Sequence, residues 1–249
     1  MSIIDSCLAK ERLFEDDPGR YLISSEIAGM YIAFGAFASM MCGSLCSGIV
    51  GPASKLAMAF AFASALSFIV VAGGELFTGN NLVLGLGSMT GNLKWRRCVC
   101  MWSVCWVGNL IGALATVAVF LCSGAAKTPG FMEFVTAVGR AKCNLGIGEM
   151  FFRGILCNAL VCLAVWCGSR LKEEISRLVM VFWCIFVFMV CGFEHSIANM
   201  AIIGIPLMSG ADIPFGWTDF AVNLSVVTAG NIVGGLGLIG VPYFFVSKK

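Results

Sequence analysis

Histidine occurs once in this chain of 249 residues, at position 195, and the thirteen cysteines include no Cys-x-x-Cys pair. A zinc or haem centre would need a second histidine or an ordered set of thiolates, so no metal or cofactor is expected and no catalytic residue is assigned. Charged residues make up 12%, against roughly 25% in soluble domains, which excludes an ordinary soluble fold. The few cations form no basic stripe, which sets nucleic acid aside as a partner, and a net charge of +2 says nothing more. The segment Met1 to Arg20 mixes acids and bases and lacks the apolar core of a cleaved signal peptide. It is expected to be an ordered or partly ordered cytoplasmic segment.

Apolar sequence, in contrast, is abundant: 59% of residues are hydrophobic and the mean hydropathy is +0.93. A hydrocarbon core of about 30 Å takes roughly 20 helical residues. Six spans of that kind are read at about 22–50, 55–90, 98–122, 146–169, 176–208 and 218–246. The chain is therefore expected to be an all-α, multi-pass membrane protein. With both termini cytoplasmic, the inner cations are Lys10, Arg12, Arg20, Lys94, Arg96, Arg97, Arg170, Lys172, Arg177, Lys248 and Lys249, against Lys55, Lys127, Arg140 and Lys142 outside. The positive-inside rule favours that orientation in the cell (inner or plasma) membrane. The cysteines lie mostly within the spans, where their expected role is as small, soft packing residues.

Two of the spans are interrupted. Gly73-Gly74-Glu75-Leu76-Phe77-Thr78-Gly79-Asn80-Asn81 returns in altered form as Gly192-Phe193-Glu194-His195-Ser196-Ile197-Ala198-Asn199-Met200. Backbone in hydrocarbon must satisfy its own hydrogen bonds, so a broken, acid-bearing segment is tolerated only inside protein or beside water. Three anchors recur in order: Glu26 with Glu149, Glu75 with Glu194, and Gly108-Asn109-x-x-Gly112 with Gly230-Asn231-x-x-Gly234. The expectation is one channel domain over 21–249 after an N-terminal segment 1–20, with repeats of about 21–125 and 140–249. Each repeat has three spans, so the second enters the membrane from the opposite side. The second and fifth helices are broken, and a pathway lies between the breaks near the midplane.

The residues at the breaks carry the candidate chemistry. His195 is a costly ionisable group at membrane depth with Glu194 and Asn199 beside it, and Thr78 offers a hydroxyl either to a passing anion or to nearby backbone. Glu75 and Glu194 are read as structural: each carboxylate is expected to accept backbone N–H groups left open by the break, as Asn80 and Asn199 support the same turns. A proton relay is the other reading of the two acids. Leu76 and Phe77, with Phe62, Leu66, Val161 and Phe188 on other spans, are candidates for apolar constrictions that exclude hydrated ions. Lys142 either raises the local anion concentration at the outer mouth or snorkels to the interface, and Arg153 is spaced to pair with Glu149. Asn231 needs a polar partner and could glue two helices.

Glu-Leu-Phe-Thr (75–78), Gly-Phe-Glu-His-x-x-Ala-Asn-Met (192–200), Gly-Ile-Leu-Cys-Asn-x-Leu-Val-Cys-Leu-Ala-Val-Trp (154–166) and Gly-Asn-Ile-Val-Gly-Gly (230–235) together resemble the formate/nitrite transporter family, over all six spans. The resemblance implies a homopentamer of aquaporin-like protomers around a lipid-plugged axis, each with its own pore for small monovalent anions. It implies that Thr78 and His195 are the central polar pair, that Lys142 is the outer-vestibule lysine with Asn231 its polar neighbour, and that Lys10 belongs to an N-terminal segment able to gate the pore. It implies one constriction at Phe62, Leu66 and Phe188 and another at Leu76, Phe77 and Val161. At Thr78-Gly79-Asn80-Asn81 the chain departs from the formate and nitrite branches, which more often have serines or other small residues there. In that departure and in its many cysteines it is similar to the clostridial hydrosulfide channel branch. Hydrosulfide is thus the expected cargo, with formate and nitrite also possible cargo; a formate- or nitrite-specific proton-coupled transporter is the alternative. An enzyme would need a nucleophile or cofactor box that does not stand out, and an aquaporin proper would carry a proline after Asn80 and Asn199, where Asn81 and Met200 stand.

Overall fold

The computed structural model describes residues 2–247, except for the side chain of Val50; Lys248 and Lys249, counted above among the inner cations, lie outside the described residues. Eleven α-helices are found among the described residues, and no strand. In the first half, α1 (Ile3–Asp16) is followed by α2 (Pro18–Val50), α3 (Ser54–Ala72), α4 (Phe77–Met89) and α5 (Trp95–Cys122). In the second, α6 (Phe131–Cys143) is followed by α7 (Ile147–Arg170), α8 (Glu174–Cys191), α9 (Ser196–Met208), α10 (Trp217–Ile232), a π-helical stretch Val233–Gly240, and α11 (Val241–Val246). Six helical segments are long and apolar enough to cross a membrane.

The breaks separate α3 from α4 and α8 from α9. Gly73 and Gly74 turn the chain with φ of 87° and 155°, and Gly192 does so with 71°, conformations that a Cβ would oppose. Each half-helix thereby directs its N-terminus, the positive end of its dipole, into the protein interior. The freed backbone is satisfied by the first span of the same half: Glu75 N donates to Ser24 O (3.1 Å) and Glu194 N to Arg153 O (3.3 Å). In the first half α2 packs on α3 and α5; in the second α7 packs on α8 and α10. Lipid tails are as apolar as leucine, so these contacts depend on close approach rather than on hydrophobic expulsion. The pair Gly154 and Gly230 shows this: a Cβ on Gly154 would stand 3.3 Å from the Gly230 Cα.

Two features of the repeat differ from the sequence reading. Ser24 and Arg153 make equivalent bonds, and Gly112 and Gly234 press on the carbonyls of Glu26 and Ile155 respectively. Glu26 therefore corresponds to Ile155 and not to Glu149. The first span is farther from its break in the first half, where α2 runs on to Val50, so identical glutamates matched out of register. Moreover, α6 stands before α7 as α1 stands before α2, and each supplies a lysine to the break of its own half. The recurring unit thus includes α1 and begins before position 140.

Candidate functional site

Each break is organised by an asparagine from the third span of its half. Asn109 Oδ1 accepts from Phe77 N (2.9 Å) while its Nδ2 donates to Ser25 O (2.6 Å) and Glu75 O (2.9 Å). Asn231 repeats the set with Ser196 N (2.9 Å), Gly154 O (2.8 Å) and Glu194 O (3.0 Å). A neutral amide can accept an open helical N–H while donating to two carbonyls at once, here one on the break and one on the first span of the half. The backbone capping expected of Glu75 and Glu194 is therefore performed by Asn109 and Asn231. Asn231, fully buried and bonded only to backbone, holds the break and lines neither of the cavities described below.

The carboxylates are left for lysines. Lys10 Nζ donates to both oxygens of Glu75 at 2.7 Å, and Lys142 Nζ donates to those of Glu194 at 2.9 and 3.1 Å. Asn80 and Asn199 bind the same carboxylates at 2.8 and 2.7 Å. Beyond this point the halves diverge: Asn80 also donates to Tyr21 Oη, whereas Asn199 donates to Asn223 Oδ1, and Asn223 in turn donates to the Lys142 carbonyl. Each buried carboxylate thus has both a counter-charge and an amide donor, which a low-dielectric site requires.

Thr78 Oγ1 and His195 Nε2 lie 3.1 Å apart across the two breaks, both buried. Ala198 N–H donates to His195 Nδ1 (3.1 Å), so the ring proton belongs on Nε2 and points at the threonine oxygen. With Oγ1 accepting that bond, the hydroxyl proton of Thr78 is free for another acceptor. Thr78 is itself anchored from behind: its carbonyl accepts from Asn158 Nδ2 (3.2 Å) and from the Cys162 thiol (3.3 Å). Gly235 in the π-helical stretch lets that group approach, since a Cβ there would fall 2.6 Å from Asn158 Nδ2 and 2.7 Å from Cys162 Sγ. Cys105 likewise donates to Glu75 O (3.1 Å), so some of the thiols support the breaks as well as packing, and all thirteen are free.

Two cavities share no residue: His195 lines one of them, and Thr78 stands in the wall behind it, lining neither. One, of about 340 Å³, is lined by Lys142, Glu194, His195 and Phe188, with Lys55 and Arg153. The other, of about 330 Å³, is lined by Lys10, Leu66, Leu76, Gly79, Asn80 and Arg177. Phe62 meets Phe188 edge-on at 5.9 Å, and Phe188 stacks on His195 at 5.9 Å. Phe188 lines the Lys142-side cavity, Leu66 and Leu76 line the Lys10-side cavity, and Phe62, Phe77 and Val161 line neither. Phe62 and Leu66 are one turn apart on α3, hence about 6 Å apart in depth. Arg153 pairs with Glu149 at 3.4 Å.

The formate/nitrite transporter family matches residues 2–245. The chain belongs to that family. It is 31% identical to "Nitrite transporter NirC" of Salmonella typhimurium over 99% of this chain and 91% of the relative. Among solved structures it is similar to "FNT family ion channel" (TM-score 0.92, 30% identity, 99% of both chains) and to "Pentameric formate channel with formate bound" (TM-score 0.80, 27% identity, 92% of this chain and 97% of that one). Membership and the six apolar helices together establish a multi-pass membrane protein of a transporter and channel family.

The sequence reading overlooked Asn109, Asn158, Asn223 and Tyr21 as members of the site. Each asparagine interrupts an apolar run, and a lone amide at that depth needs a partner. That signal was present for all three.

Proposed function

We propose that each copy of the chain forms a pore for small monovalent anions, within a homopentamer whose termini are cytoplasmic. The Thr78–His195 contact carries this reading: a buried polar pair joins the two breaks beside two ion-paired cavities. The N-termini of α4 and α9 add positive potential there. An anion enters past Lys142, crosses the Phe62–Phe188 contact, accepts the Thr78 hydroxyl, and leaves past Leu66 and Leu76 towards Lys10. On this path Lys10 and α1 are the gate at the cytoplasmic mouth.

The ring geometry favours hydrogen bonding over proton donation by His195. Releasing the Nε2 proton from a neutral ring would leave an imidazolate in an apolar wall, and protonating Nδ1 would break its bond from Ala198. Any proton that accompanies the anion comes from cavity water. His195 orients Thr78, and Thr78 meets the anion.

Hydrosulfide is the cargo favoured within this reading, because a soft, weakly hydrated anion loses least on shedding water at Phe188 and Leu76; the resemblance noted at Thr78-Gly79-Asn80-Asn81 and in the cysteine-rich spans is what suggests it. Formate or nitrite transport coupled to protons is the second reading; the similarity to a nitrite transporter and to a formate channel supports those two anions. Flux of hydrosulfide, formate, nitrite and water into proteoliposomes tests both. Anion flux well above protein-free vesicles, reduced at least tenfold in Thr78→Val, is expected; water flux alone would overturn the reading.

A further inference from the structure

We propose that Arg177 is the cation that gathers anions at the Lys10-side mouth; this rests on the anion-pore reading above. The cavity there is lined by two cations and no acid. Lys10 is bound to both oxygens of Glu75, so its field at a distance is that of a dipole. Arg177 has no ion pair among the described residues. Its Nε donates to Leu171 O (2.8 Å), and no partner among the described residues takes its Nη groups. That bond clips the half-buried side chain to the turn between α7 and α8, fixing a charge that would otherwise sweep through solvent.

The position is unfavourable for the helix itself. Arg177 lies in the first turn of α8, against the positive end of the dipole, where an acid such as Glu174 is the stabilising choice. Glu173 and Glu174 face solvent nearby without pairing to it. A monovalent cation fixed beside a low-dielectric neck raises the local anion concentration, and does so through a field that salt screens. The opposite cavity has the same division of labour, with Lys142 bound to Glu194 and exposed Lys55 in no ion pair among the described residues.

The test measures hydrosulfide and formate flux in proteoliposomes against ionic strength for the parent, Arg177→Gln and Arg177→Lys, with thermal stability of each purified protein. Arg177→Gln is expected to lose roughly three- to tenfold at low ionic strength and to converge on the parent at about 1 M salt, as screening of one charge requires. Arg177→Lys keeps the charge and should keep most of the flux. A purely structural clip would lower stability and flux alike in both variants, at every salt concentration, and would overturn the proposal. So would an Arg177→Gln flux equal to the parent's at low salt. A parent that moves no anion would instead overturn the pore reading on which the proposal rests.

Discussion

The two breaks share a frame and differ in what that frame holds. Both have a glycine turn, a glutamate paired to a lysine from the preceding amphipathic helix, an asparagine on the carboxylate, and a second asparagine capping the half-helix. At the residue after the glutamate, however, one break has Leu76 and the other His195. Three positions after the glutamate, one has Thr78 and the other Ile197. Each break therefore contributes one polar and one apolar residue to the shared wall, in opposite order. The symmetric elements satisfy the requirements of broken backbone in hydrocarbon, which are the same on both sides. The asymmetric elements have no such requirement to meet, and there the chemistry is expected.

The comparison breaks first if the two capping asparagines are not equivalent. Asn109→Leu and Asn231→Leu each strand a helical N–H, of Phe77 or Ser196, at about 1–3 kcal/mol for a buried group, and take a donor from two buried carbonyls besides, so both should abolish recovery of folded protein. Normal yield of one and loss of the other, measured by size-exclusion chromatography in detergent, would show that only one break needs the cap.

Removing one member of a buried ion pair is expected to be the next largest effect. Lys142→Met leaves Glu194, whose side chain is 4% exposed, without counter-charge and should cost about 3 kcal/mol. Lys142→Met with Glu194→Gln should recover much of that loss, and the same cycle at Lys10 and Glu75 should give a smaller coupling because that pair is more exposed. Thermal unfolding of the four proteins in each cycle measures the coupling; additive single effects would contradict pairing.

Much of this frame was legible in sequence because glycine turns, acids and asparagines in apolar runs are rare enough to stand out, and the pairing of the breaks followed from the repeat. The partners of Glu75 and Glu194 were not legible. Lys10 and Lys142 lie 65 and 52 residues from their acids, and only packing of α1 and α6 against the breaks brings them in. Register failed where identity misled, as with Glu26 and Glu149. That Leu66 and Phe188, from α3 and α8, line different cavities depends on how those helices pack, which composition cannot convey.

Smaller effects sharpen the asymmetric part. His195→Leu makes the second break like the first; it should fold, since the cap from Asn231 remains, yet lose roughly tenfold in anion flux through loss of one oriented donor, about 1.4 kcal/mol. Leu76→Val removes one methylene from the Lys10-side neck and should raise flux a few-fold or loosen selectivity. A fall in flux together with yield would make Leu76 a packing residue.

Because His195 is the sole histidine, nitrogen-15 NMR of protein labelled at histidine reads the central pair without interference. Without anion, the spectrum should be that of the neutral ring protonated at Nε2, with Nδ1 accepting from Ala198. Titration with formate or hydrosulfide should move the Nε2 signal saturably as Thr78 takes the anion, leave Nδ1 nearly fixed, and have no such effect in Thr78→Val. An Nε2 signal indifferent to an anion that the same protein demonstrably transports would contradict the claim that the Thr78–His195 pair is where the anion is met.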